Sequence, residues 1–139
     1  MRIVFDTNIY IAAALRGGFA EDILALADKK VILLITSKEI LNELKHKLLT
    51  KFEYTDEQAN FLISRLKKIA TITSPRERIR IISRDPDDNK ILECAISGSA
   101  DLIVSADQDL IQLKEYKGIP IIHPKTLSYT FPKYFKNKK

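Results

Sequence analysis

VILLITSKE, residues 31–39, is the stretch whose reading decides the fold. Val31 to Ile35 form an unbroken aliphatic run with no polar residue at alternate positions. A strand with one wet face alternates, whereas an unbroken run suits a strand covered on both faces, as in a parallel sheet. The next four residues, Thr36-Ser37-Lys38-Glu39, read as a capping box with Thr36 as N-cap and Glu39 at the third helical position. The helix they open is expected to reach about Leu49, with Ile40, Leu41, Leu44 and Leu48 turned inward. A buried strand running directly into a helix is the repeating unit of an α/β sheet.

The same unit recurs on either side. Arg2 to Phe5 is a short apolar strand ending at Asp6, and Thr7 to Leu15 has helical spacing up to the Gly17-Gly18 break. A second helix is expected over roughly Ala20 to Asp28. Thr55 with Gln58 forms another capping box, opening a helix through Leu62, Leu66 and Ile69. The helical period lapses between Thr71 and Ser83, and Pro75 blocks its continuation. Asp85-Pro86 supplies an N-cap and a first-turn proline for a helix to about Ser97. Leu102 to Val104 and Ile119 to Ile122 read as strands around a short helix through Leu110 and Leu113, with Ser105 and Gln108 as its capping box. Pro124 closes the last strand. The pattern predicts a three-layer α/β/α sandwich with a central, mostly parallel sheet of about five strands.

The chain has 139 residues, 45% of them hydrophobic, which is enough for one core and too few for two. Residues 1–131 are expected to form the single domain, and the basic, aperiodic tail 132–139 is expected to be loose. Lys and Arg number 23 against 18 Asp and Glu, a net charge of +5 that suits a polyanionic partner. One cysteine, Cys94, and two histidines, His46 and His123, exclude a disulfide framework and a multi-cysteine zinc site. Cys94 sits in an apolar helix and reads as a buried structural thiol. Met1-Arg2 leads directly into a strand and no apolar run approaches membrane-spanning length, so a cytoplasmic location is expected.

The acids carry the chemistry. Ligands of an open parallel sheet sit beyond the carboxyl ends of its strands. Asp6 and Asp107 lie just past two such ends, Asp88 is in the first turn of the helix after Asp85-Pro86, and Glu43 lies beside the inward row of Ile40 and Leu44. Converging carboxylates repel, and a divalent cation removes that penalty. All-oxygen ligands favour Mg²⁺ or Mn²⁺, which can activate water against a phosphodiester. Each acid also has a local reading. Asp6 could cap the following helix, Glu43 could pair with Lys47 one turn on, and Asp88 competes with Asp87 for the same role. Asp107 and Asp109 could both serve only to offset a helix dipole.

Four segments together resemble the PIN-domain nucleases. Ile3-Val4-Phe5-Asp6-Thr7-Asn8 resembles their first acidic motif, and Ser37 to Leu44 is similar to the segment carrying their second acid, which falls on Glu43. Asp85 to Ala95 resembles their central motif, which picks Asp88, and Ala100 to Leu110 resembles the last, with a hydroxyl residue two positions before Asp107. The likeness runs from Met1 to about Pro124, in the family's order, and is greatest to the toxin components of toxin–antitoxin pairs. The resemblance implies Mg²⁺- or Mn²⁺-dependent cleavage of RNA, a homodimer or higher homo-oligomer, and an antitoxin partner. It assigns catalytic roles to Asp6, Glu43, Asp88 and Asp107, of which Asp6, Asp88 and Asp107 would be metal ligands. Ser105, Asp109 and Asn8 would be of second rank, and Glu93 receives no role.

Arg76, Arg78, Arg80 and Arg84 precede Asp88 and are candidates for contact with RNA phosphates, with Lys45, Lys47 and Lys51 extending the basic edge. Tyr10, Phe52 and Tyr54 could stack on bases, although core packing is the commoner fate of such aromatics. A phosphotransferase using Asp6 as nucleophile would want an aspartate where Asn8 stands, and a receiver domain would want an acidic pair near Asp6. No glycine-rich phosphate loop is present. The rival from another class is a catalytically weak domain of this type that holds RNA or a protein partner.

Overall fold

Six strands form one sheet in the order β3-β2-β1-β4-β6-β5, in a computed structural model that describes residues 1–16, 18–76, 78 and 86–130. The elements follow the chain as β1 (Arg2–Phe5), α1 (Thr7–Arg16), α2 (Gly18–Asp28), β2 (Leu33–Ser37), α3 (Lys38–Lys51) and α4 (Asp56–Ile69). Then come β3 (Ala70–Thr73), α5 (Pro86–Ser97), β4 (Leu102–Val104), α6 (Gln108–Leu113), β5 (Glu115–Tyr116), β6 (Ile119–Ile122) and α7 (Pro124–Thr130). All pairings are parallel except β5 with β6. Strand order runs outward from β1 in both directions, so the crevice at the carboxyl ends of β1 and β4 is the switch point of the sheet. The expected three-layer sandwich is thus the fold, with six strands where about five were anticipated.

Central strands are buried because both faces are covered. Ile3, Val4 and Phe5 of β1 and Ile103 and Val104 of β4 are wholly inaccessible. Helix α5 packs against β1, β2 and β4, while α3 contacts α1, α4 and α5. The close crossing of α5 over β2 needs Gly98, where a Cβ would collide with Ile35 Cγ2. The helix then ends on Ser99 in the left-handed region (φ 51°), with Ala100 N donating to Ala95 O at 2.9 Å and Ser99 N to Ile96 O at 3.2 Å. That is a Schellman ending with serine in the place glycine usually takes.

The 31–39 stretch is shifted from its reading. The strand starts at Leu33, because Val31 and Ile32 donate their N–H groups to Leu26 O and close the end of α2. Thr36 stays in the ladder opposite Ile72 and is buried, so it cannot cap. Ser37, extended at φ −139° and ψ 164°, is the N-cap of α3, and its Oγ accepts from Ile40 N at 3.2 Å. Glu39 therefore lies outside a capping box. The box at Thr55 and Gln58 is formed as expected.

Three elements had no forewarning. β3 follows α4 without a loop and is a half-exposed edge strand, so it lacks the continuous apolar run of its neighbours. β5 is only two residues long, joined to β6 by Lys117 (φ 49°) and Gly118 (φ 83°), both in the left-handed region a tight hairpin requires. α7 begins at Pro124, where only a strand end was read. Residues Gly17, Asp85 and the 132–139 tail lie outside the described residues.

Candidate active site

Asp6 sits where β1 and β4 end together, and its N–H donates to Val104 O at 3.0 Å. Its carboxylate is buried and held from both sides. Ser105 Oγ donates to Oδ2 at 2.7 Å, and Thr7 Oγ1 lies 3.2 Å from Oδ1, which the Asn8 N–H also approaches at 3.4 Å. Asp6 thus makes a long capping contact to α1 while presenting itself to the crevice. The expected capping box of Ser105 is corrected here. Helix α6 starts two residues too late for Ser105 to cap it. Asp107 is the N-cap, its Oδ1 accepting from Asp109 N at 2.9 Å and Leu110 N at 3.2 Å. Ser105 instead accepts from Asp107 N at 2.9 Å, linking Asp107 to Asp6 through one hydroxyl.

One cleft brings together Asp6, Glu43, Asp88 and Asp107, with Asn8 at its side. Asp88 enters from the third position of α5, which starts at Pro86 as the motif suggests. Carboxylate oxygens of Asp88, Asp107 and Asp109 all lie within 4.8 Å of one another. Neighbouring ligands of a small octahedral cation at about 2.1 Å are themselves about 3–4 Å apart, so this all-oxygen set has the chemistry and approximate spacing to hold a hard divalent cation. Asp6 stands in the same cleft without belonging to that tightest group.

Glu43 is differently placed. Its Oε2 is 3.1 Å from Lys47 Nζ, the local pairing that its spacing allows, and Oε1 is 3.9 Å from Lys90 Nζ. Burial pushes the Glu43 carboxyl above its usual range, and the adjacent Asp87 adds to this against the opposing pull of Lys47. Burial would also raise Asp87, but hydrogen bonds from Lys90 and Glu43 outweigh it and hold Asp87 low. Of this neighbouring pair, Glu43 is the one that binds its proton more tightly.

Thr7, Lys47 and Lys90 also line the cleft; of these, the sequence places only Lys47 nearby, as part of a basic edge. The signal available was spacing alone, since Lys47 follows Glu43 by four residues and Lys90 follows Asp87 by three. The basic edge is less open than its charges suggest. Arg78 Nη1 is 3.3 Å from the buried Glu93 and 4.0 Å from Glu39, while Arg76 is exposed, and Arg80 and Arg84 lie outside the described residues. Tyr10 is core, edge-on to Phe5 at 6.3 Å, so it cannot stack on a base. Cys94 is wholly buried, and that burial pushes its thiol up to about 12.

A family model described as "PIN domain" matches residues 2–109. A search of curated proteins finds no match. Among solved structures, VapBC2 from Rickettsia felis bound to a DNA fragment from their promoter superposes with a TM-score of 0.64 at 16% identity, covering 88% of this chain and 98% of that one. VapBC-1 from nontypeable Haemophilus influenzae gives 0.62 at 19% identity, covering 90% and 99%. PAE2754 from Pyrobaculum aerophilum gives 0.61 at 14% identity, covering 95% and 89%. At such identities these structures speak for the fold.

Proposed function

The chain belongs to the PIN-domain family, and from that premise we propose that it is a Mg²⁺- or Mn²⁺-dependent endoribonuclease, the toxin component of a toxin–antitoxin pair. The observation that carries this reading is the meeting of Asp6, Glu43, Asp88 and Asp107, from four separate parts of the chain, in one cleft at the switch point of the sheet. Such a gathering is costly unless a cation offsets it. Asp6, Asp88 and Asp107, with Asp109 beside the last two, are assigned to hold that cation. When bound it supplies the charge that lowers the pKa of a water and stabilises a phosphoryl oxygen.

The chain's own residues do the positioning. The Ser105 and Thr7 hydroxyls fix the Asp6 carboxylate, and Ser105 fixes the start of the Asp107 turn. Glu43 faces the ligand acids from α3 and is assigned to orient the attacking water. The water oxygen bonds to phosphorus, the bond from phosphorus to a sugar oxygen breaks, and that oxygen takes up a proton. The exposed Arg76 and the net charge of +5 support contact with a polyanion.

A partner is proposed on the same footing. Two of the similar structures are of VapBC proteins, which supports a cognate antitoxin for this chain, and the family likeness leads us to assign it a homodimeric or higher homo-oligomeric state. No described helix is long and apolar enough to cross a membrane. Incubation with RNA in Mn²⁺ tests the reading. Cleavage is expected, with chelator abolishing it and Asp6→Asn or Asp88→Asn slowing it by about 100-fold or more. Asn variants that cut as fast as the parent would assign the cleavage to another site or a contaminant, leaving a binding domain.

A further inference from the structure

The cleft contains cations of its own. Lys47 and Lys90 are the only positive residues lining it among those described, set against Asp6, Glu43, Asp87, Asp88 and Asp107. They reach Glu43 from two helices, Lys47 from α3 and Lys90 from α5. Pairs spaced three or four residues apart along a helix are ordinary surface features. Lys47 departs from that pattern in two respects. It is largely buried, with its side chain 19% exposed, and its Nζ lies 3.2 Å from Thr7 Oγ1, the hydroxyl that contacts Asp6. An ammonium has three donors. Thr7 accepts from one of them and the Glu43 carboxylate stands in ion-pair range, which leaves donor capacity for a ligand entering the cleft.

The charges are also segregated. Asp88, Asp107 and Asp109 form an all-acid group with spacing suited to a cation. Glu43 stands outside that group, with the two lysines. A phosphodiester bridging the halves would meet the divalent ion on one side and an ammonium on the other. We propose that Lys47 is the phosphate-binding residue of the cleft, donating to a non-bridging oxygen of the scissile phosphodiester. Lys90, already 2.9 Å from Asp87 Oδ1 and more exposed, has the lesser part of holding Glu43 and Asp87 in place. This assignment rests on the nuclease reading and adds to it the group that receives the substrate's charge.

Three measurements on the full chain test it. They are Mn²⁺ affinity without RNA, affinity for a short single-stranded RNA in Ca²⁺, and single-turnover cleavage in Mn²⁺. For Lys47→Met, cleavage is expected to fall by about 100-fold and RNA affinity to drop, with Mn²⁺ affinity within about threefold of the parent. Lys47→Arg keeps the charge and is expected to recover about tenfold of that loss, while Lys90→Met loses about tenfold or less. Equal losses in Lys47→Met and Lys90→Met would mean that the lysines only screen the acids, which overturns the assignment. So would cleavage by Lys47→Met within about threefold of an active parent. A parent that neither binds Mn²⁺ nor cuts RNA overturns the nuclease reading itself, a result distinct from either of these.

Discussion

Asp107 has two duties. Its Oδ1 accepts the first N–H groups of α6, and its carboxylate stands within the close acidic group. The duties separate by substitution, because asparagine caps a helix about as well as aspartate and alanine does not. Asp107→Asn is expected to leave the urea midpoint almost unmoved while weakening Mn²⁺ binding. Asp107→Ala should lose the metal and about 1 kcal/mol of stability as well. Cys94 gives a pH prediction. Its folded pKa of about 12 stands above the ordinary 9.0, so the folded state holds the thiol proton more tightly. The associated stabilisation is complete below pH 9 and is lost as pH rises toward 12, which alkaline denaturation of the parent and Cys94→Ala compared should reveal. At this scale the acids could be picked out, because Asp6 stands at a strand end, Asp88 and Asp107 at the starts of helices, and Glu43 beside an inward apolar row. Local spacing did not give the contact of Ser105 with Asp6, which exists because β4 lies beside β1; only the family likeness placed Ser105 among these acids as a hydrogen-bonding neighbour. Lys47 was legible only as one of several basic-edge residues, because its spacing from Glu43 is that of any solvated pair.

Elements were legible wherever a buried run or a cap marked them. The aliphatic run of 31–35 announced a covered strand correctly, yet its boundary moved by two residues. Apolar character cannot tell a strand residue from one that closes the preceding helix, as Val31 and Ile32 do. β3 and β5 escaped because edge strands bury only one side or last two residues. The crossing of α5 over β2 gives the sharpest test at this level. Gly98→Ala would drive a methyl into Ile35, and overpacking of this kind costs about 1–3 kcal/mol. The denaturant midpoint should fall accordingly. An unchanged midpoint would mean that α5 sits further from the sheet, and with it Asp88.

At the scale of the whole molecule, the sheet's strand order is what makes a site. With β1 flanked by β2 and β4, chain running outward in both directions leaves one crevice, and Asp6, Asp88 and Asp107 all line it. An acidic cleft on a chain of net charge +5 suits a polyanion as partner and a cation at the centre. Sequence order alone could suggest this convergence but not its distances, because those depend on how three helices approach one crevice. The central claim is that these acids share a hard divalent ion. Diffraction from crystals grown with Mn²⁺, recorded for anomalous signal, tests it most directly. The expected map has a peak between Asp88 and Asp107, within about 2.5 Å of their carboxylate oxygens. A map with no peak in the cleft at saturating Mn²⁺ would contradict it.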